Sequence, residues 1–232
     1  MKWLVNALST SVGKKFVMGI TGLLLCGFLV VHISGNLLLY AGPAAYNDYA
    51  NSLHEHEWLL AVAEVGLLLL FLAHIVLAFR TTRENRAARE TGYEMKVSKK
   101  DNAREFHKLA RSDSWMFVSG AVVLAFVLLH LWDFRFEARS DIAYATMQPF
   151  EKAVAILQTP LSFSAYIVGS LFLGWHLTHG FASAFQSLGL NHPKFNPLVR
   201  WLSLLFAFAV GLGFASFPLW AMFGHSAPAG VP

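Results

Sequence analysis

Four histidines lie inside four separate apolar stretches, each toward the C-terminal end of its stretch: His32 in 16–40, His74 in 58–79, His130 in 115–132 and His179 in 161–186. A histidine in an apolar helix either links helices by hydrogen bonds or binds a metal. Two imidazoles facing each other across a bundle can fill both axial positions of a haem iron. Consecutive membrane helices run in opposite directions, so the shared late position sorts the histidines into two pairs at opposite faces, His32 with His130 and His74 with His179. Two such pairs would form a path for electrons across a membrane. At 1.5 Å per residue, His32 and His130 lie roughly 24 and 22 Å from the inner ends of their helices, and His74 and His179 about 9 and 10 Å. His176 competes with His179, because residues i and i+3 occupy similar faces. Depth favours His179, with Gly180 beside it leaving room for a flat macrocycle and His176 serving as a hydrogen-bonding residue.

The elements that must position these side chains are membrane helices. Hydrophobic residues make up 56% of the 232-residue chain and charged residues only 14%, well below the quarter typical of soluble domains. Charges are confined to short segments, leaving five apolar stretches, 16–40, 58–79, 115–132, 161–186 and 198–223, each near the roughly 20 residues that cross a hydrocarbon core. The alternation of a membrane barrel is absent. The expected fold is an all-α integral membrane bundle of five transmembrane helices, forming a single domain over 1–232. Lys14-Lys15 before the first apolar run faintly resembles a signal peptide, but the run is too long and lacks a small-residue cleavage site.

The net charge of +4 does not imply a nucleic-acid partner. Ten Lys/Arg lie from Arg80 to Arg111, and Lys2, Lys14, Lys15, Lys194 and Arg200 fall on the same side of a five-helix path, making fifteen of eighteen. Arg135, Arg139 and Lys152 fall on the other. The positive-inside rule then places the N-terminus and the 80–114 loop in the cytoplasm and the C-terminus outside. That long charged loop is a candidate docking platform. The single cysteine, Cys26, gives neither a cluster-binding set nor a covalent haem motif, so any haem is a non-covalently held b haem.

The segment 41–57 reads as a loop with Gly42-Pro43, Tyr46, Asn47, Tyr49 and the cluster His54-Glu55-His56-Glu57. Such a cluster at an aqueous edge is better read as solvated than as metal-binding. In 134–160, the moderately apolar middle, 142–157, is too polar to span and is expected to lie along the surface. Glu64, roughly 9 Å inside the second helix, is either functional or a protonated carboxyl bonded to a neighbouring helix. Lys14, Lys15, Ser11, Arg80 and Arg111 are placed to meet haem propionates or to anchor the membrane edge.

Val31-His32-Ile33-Ser34-Gly35-Asn36, Phe71–Arg80 with His74, Leu129-His130-Leu131, and His176–Gly189 with its His-Gly pair and Phe185-Gln186-Ser187-Leu188-Gly189 carry a resemblance over nearly the whole chain. In these motifs the chain resembles the five-helix, dihaem cytochrome b membrane subunit of succinate:quinone and fumarate:quinone oxidoreductases. The resemblance implies two b haems, a distal one held by His32 and His130 and a proximal one held by His74 and His179, whose His-Gly context matches the family ligand. It implies partners on the cytoplasmic side, a flavoprotein and an iron–sulfur subunit, and location in a bacterial cytoplasmic membrane. It also implies a membrane quinone near the distal haem, with menaquinone favoured. Asn36, Tyr40, Asn47 and Glu64 are the foremost candidate contacts, with Tyr46, His54, His56, Glu57, Trp132 and Asp133 at the same level. Dicarboxylate chemistry would belong to the partners. Some fumarate reductases of this type have a glutamate two residues before the His-Gly histidine; Leu177 stands there here, which tilts the reading toward succinate oxidation. Two alternatives remain: a dihaem cytochrome b of a formate dehydrogenase, hydrogenase or nitrate reductase, and a proton-coupled transporter using the histidines and Glu64.

Overall fold

The computed structural model describes residues 2–88 and 113–225. Most of the proposed docking platform, including Arg111, lies outside them. The described residues form an all-α fold of eight helices: α1 (Lys2–Ser9), α2 (Ser11–Asn36, continued by a 3-10 turn Leu37–Ala41), α3 (Pro43–His54), α4 (Glu57–Ala87), α5 (Asp113–His130, continued by a π turn Leu131–Arg135), α6 (Pro149–Gln158), α7 (Pro160–Ser187) and α8 (Asn196–Gly224). Five of them, α2, α4, α5, α7 and α8, are long and apolar enough to cross a membrane. Large apolar side chains remain exposed on their flanks, among them Val62, Leu69, Leu205 and Phe208, as expected of surfaces that face lipid rather than water.

Local chemistry explains where the helices begin. Thr10 caps α2 by accepting from the Gly13 N–H at 3.0 Å. Proline occupies the first turn of α3, α6, α7 and α8, where its missing N–H would have no intrahelical partner. Gln148 and Glu151 complete a capping box on α6. α7 and α8 make the closest pair: Gly174 and Gly211 bring the two backbones so near that a Cβ on Gly174 would stand 3.1 Å from the Gly211 Cα. Ser203 seals this seam by donating to the Thr178 carbonyl at 2.8 Å.

Two sequence expectations are corrected. The segment 41–57 contains a helix, α3, because Pro43 starts one rather than preventing it. The 134–160 segment is not a surface-lying strip: Ala153, Val154, Ala155 and Ile156 of α6 are at most 2% exposed. α6 packs on α8, α7 and α3 and forms cores with Leu39, Tyr166, Phe217 and Tyr144. α4 also runs past Arg80 to Ala87.

Candidate functional site

A cavity of about 2870 Å³ runs between α2, α4, α5 and α7. A pocket for one drug-sized ligand is roughly 300–1,000 Å³, so this space suits more than one bulky group. His32, His74, His130, His176 and His179 all line it. α4 packs mainly on α2, and α5 on α7. Across the cavity, α4 meets the α5 segment at two places, one at each end. Arg135 pairs with Glu64 at 3.0 Å at one end, and the Arg86 guanidinium lies 5.8 Å over the Phe117 ring at the other.

At one level of the cavity, His74 and His176 occupy matching cradles. The His74 Nδ1 lies 3.1 Å from the Thr21 hydroxyl, and the His176 Nδ1 lies 3.2 Å from the Ser119 hydroxyl. Each hydroxyl spends its one proton on a backbone carbonyl, Thr21 on Met18 at 3.0 Å and Ser119 on Met116 at 3.1 Å. With each hydroxyl donating to its carbonyl, an imidazole protonated on Nδ1 would complete each contact and leave the Nε2 lone pair for a ligand, the arrangement that second-shell partners impose on metal-binding histidines. The next residue in each helix is glycine. A Cβ on Gly22 would stand 3.4 Å from the His74 Cε1, and one on Gly120 3.5 Å from the His176 Cε1.

These cradles expose a repeat that inspection helix by helix misses. Met18-x-x-Thr21-Gly22 is followed ten residues later by His32, and Met116-x-x-Ser119-Gly120 ten residues later by His130. His176, rather than His179, has the hydroxyl-and-glycine cradle that matches that of His74. The His179 Nδ1 instead meets its own neighbour, the Thr178 hydroxyl, at 2.8 Å. Depth arithmetic preferred His179, but three residues leave the two side chains about 60° apart around the helix, and rotation decides which one meets α4. The Gly180 that was to make room beside His179 lies against the His176 ring.

At the other level, His32 and His130 face each other with ring centroids 5.7 Å apart and planes at 82°. Phe28 and Phe214 flank His32, and Phe126 and Phe134 flank His130. The His130 Nδ1 lies 3.3 Å from the Tyr166 hydroxyl. Among the described residues no group of three or more His, Cys, Asp or Glu is placed to hold a metal ion. The paired imidazoles, the aromatic walls around His32 and His130 and the glycines beside the His74 and His176 rings are residues that could hold a haem.

The other candidates separate by position. Asn36 and Glu64 line the cavity. The Asn36 amide donates to the His32 carbonyl at 2.8 Å. Glu64 is not an isolated membrane carboxylate: it is 37% exposed and paired with Arg135, whose Nε and Nη2 each lie 3.0 Å from a carboxylate oxygen. Tyr40 and Asn47 lie off the cavity wall. Tyr40 bonds Ser216 at 2.5 Å, and Asn47 accepts from the Phe150 N–H at 2.8 Å, tying α3 to the start of α6. Tyr46 lines the cavity, and burial, then Tyr49, raises its pKa. His54 lines the cavity and uses its Nδ1 on the Ala50 carbonyl, whereas His56 precedes α4 as its cap residue. Trp132 is half exposed, and Asp133 is fully buried. Lys14 pairs with Glu84. At the same end, Lys15, Arg86 and Arg200 line the cavity and give it a basic mouth, whereas Arg80 is exposed away from it. No family model, curated protein or solved structure matches the chain.

Proposed function

We propose that this chain is a dihaem cytochrome b that anchors a succinate:quinone or fumarate:quinone oxidoreductase and carries electrons between an iron–sulfur partner and membrane quinone. The observation that carries this reading is the twofold histidine arrangement in one cavity, with hydroxyl groups that leave Nε2 of His74 and His176 as the free donor. His32 and His130 would hold one haem. His74 would hold the other with His176, which takes the place of His179 as the favoured fourth ligand. Bound haem would supply one-electron redox chemistry, and its iron potential would depend on the histidine environment.

The protein's own part is orientation and exclusion of water. Thr21, Ser119 and Tyr166 fix the imidazole tautomers, and the phenylalanines around His32 and His130 keep that level dry. Lys15, Arg86 and Arg200 at the basic mouth suit propionate carboxylates or an acidic partner surface. By the positive-inside rule that mouth faces the cytoplasm, where the flavoprotein and iron–sulfur subunits would dock, and the His32–His130 level lies toward the outside of a bacterial cytoplasmic membrane. Quinone would bind near that level, with Asn36 and Glu64 on the cavity wall as its candidate contacts. Tyr40 and Asn47, both engaged in structural bonds, are displaced from that role.

The test is affinity purification of the full chain from mild detergent, with haem extracted and counted. Two b haems per chain, together with co-purifying flavoprotein and iron–sulfur proteins, are expected. Haem-free, fully helical protein would overturn the cytochrome reading. Two haems with a molybdenum or nickel enzyme as the co-purifying partner would favour another dihaem oxidoreductase.

A further inference from the structure

The short first helix, α1, packs on α2, and none of its residues lines the histidine cavity. Its residues divide by type around the axis. With 3.6 residues per turn, Lys2, Asn6 and Ser9 fall within a sector of about 60°, and Trp3, Ala7 and Leu8 fall on the opposite side. The apolar side is not used up against the protein, for Trp3 is 73% exposed and Leu8 40%. A two-sided helix with an exposed indole next to a membrane span is the pattern of a segment that lies in the headgroup layer.

The corner between α1 and α2 fixes the level at which α1 sits. Thr10 is extended (ψ 160°) and serves both helices. Its hydroxyl donates to the Ala7 carbonyl at 2.7 Å, near the end of α1, and accepts from the Gly13 N–H at 3.0 Å, at the start of α2. Gly13 lets the two backbones touch: a Cβ there would stand 2.6 Å from the Leu8 Cα and would also collide with the Ala7 carbonyl oxygen. In an unbroken helix those five residues would be separated by about 7.5 Å along the axis. The chain instead turns, so that Leu8 lies at the level of Gly13. Gly13 is three residues before Phe16, the start of the apolar stretch, which is about 4.5 Å. At the same end, Lys14 pairs with Glu84 and ties the corner to α4. The lipid-facing surface also reaches the corner: Val12, Phe16, Ile20 and Leu24 are exposed at four-residue spacing along α2.

We propose that α1 is a lipid-binding helix that lies in the inner headgroup layer of the bilayer. Trp3 and Leu8 enter the acyl boundary, Lys2 meets lipid phosphates on the polar side, and the Thr10–Gly13 corner holds the helix at that depth. Phospholipid is the partner that fits, because the apolar side of α1 continues the exposed apolar strip of α2 and its one cation matches the charge of the phosphate layer. Anchored in this way, α1 would fix how deeply α2 sits. The inference rests on the membrane-spanning reading of the long helices and not on haem, so it stands or falls separately from the cytochrome reading.

Two readouts on the full chain in nanodiscs of phosphatidylethanolamine and phosphatidylglycerol test it. The first uses nitroxide labels on Trp3→Cys, Asn6→Cys, Leu8→Cys and Ser9→Cys, each in a Cys26→Ala background, with collision by oxygen compared with collision by a water-soluble nickel chelate. Labels at 3 and 8 are expected about 5–10 Å inside the headgroup boundary, and labels at 6 and 9 on its water side. Four labels equally open to nickel overturn the proposal, and so do labels at 3 and 8 shielded from both reagents, which would mean that protein covers this side. Gly13→Ala is expected to erase the difference between the two sides, and an unchanged pattern overturns the role of the corner. The second readout keeps the native cysteine. The Trp3 fluorescence, taken as wild type minus Trp3→Phe, is expected to be quenched more by lipid brominated near the headgroup than by lipid brominated near the chain end. Absence of quenching by either lipid overturns the proposal.

Discussion

Replacing the hydroxyls that orient the paired histidines isolates the tautomer argument from the ligands themselves. Ser119→Ala removes the oxygen that accepts from the His176 Nδ1–H at 3.2 Å. A buried donor left without a partner costs about 1–3 kcal/mol, and loss of a second-shell partner typically costs 10–100-fold in affinity; the two ranges agree, since 1.4 kcal/mol is tenfold. Thr21→Val removes the equivalent oxygen from His74 with almost no change in side-chain volume. Both variants are expected to weaken haem retention within this range, about 10–100-fold. The assay is haem transfer from the purified variants to an excess of apomyoglobin, followed by absorbance. Only one of the two haems should leave faster, since His32 and His130 are untouched. Release within twofold of wild type for both variants would refute the reasoning.

Other expectations follow from the geometry. Gly211→Val should destabilise the α7–α8 seam by about 1–3 kcal/mol through overpacking, because a Cβ there already meets the Gly174 Cα at 3.0 Å; Gly27→Ala, with nothing within 4 Å of its added carbon, should be neutral in the same detergent melting experiment. Glu64→Gln breaks an exposed ion pair with Arg135 and should change the melting free energy by no more than about 1 kcal/mol, while weakening quinone reduction if Glu64 is a quinone contact. Burial pushes the Tyr144 pKa up to about 12. The neutral phenol is then favoured in the folded state, so the stability it contributes is complete below the ordinary tyrosine pKa near 10 and is lost as pH rises toward 12. Alkaline unfolding curves of wild type and Tyr144→Phe should differ in shape only above about pH 10.

The membrane helices were legible because bilayer thickness sets an apolar length that few other structures require. The approach of His32 to His130 was legible because antiparallel helices convert position along the chain into depth. Rotation around a helix was not: His176 and His179 differ by only about 4.5 Å in rise, and depth alone could not choose between them. Their surroundings could have. The Met-x-x-Thr-Gly and Met-x-x-Ser-Gly cradles, each ten residues before a histidine, were present in the sequence and mark two equivalent half-sites. α6 misled because 142–157 is too polar to span, yet Glu151 serves the capping box and Lys152 reaches Glu137 at 2.6 Å, leaving Ala153–Leu157 free to turn inward. The inward turn of Asp133 depends on a π turn that no periodicity in the sequence announces.

The central claim, that paired histidines from four helices hold two haems, is tested most directly by reduced-minus-oxidised spectra with haem counts for wild type and for alanine variants of His130, His176 and His179. The account predicts two b haems in the wild type, one lost in His130→Ala, the other lost in His176→Ala, and both kept in His179→Ala. A folded wild-type chain without haem would contradict the claim outright, and loss of haem in His179→Ala but not in His176→Ala would contradict the pairing of His74 with His176.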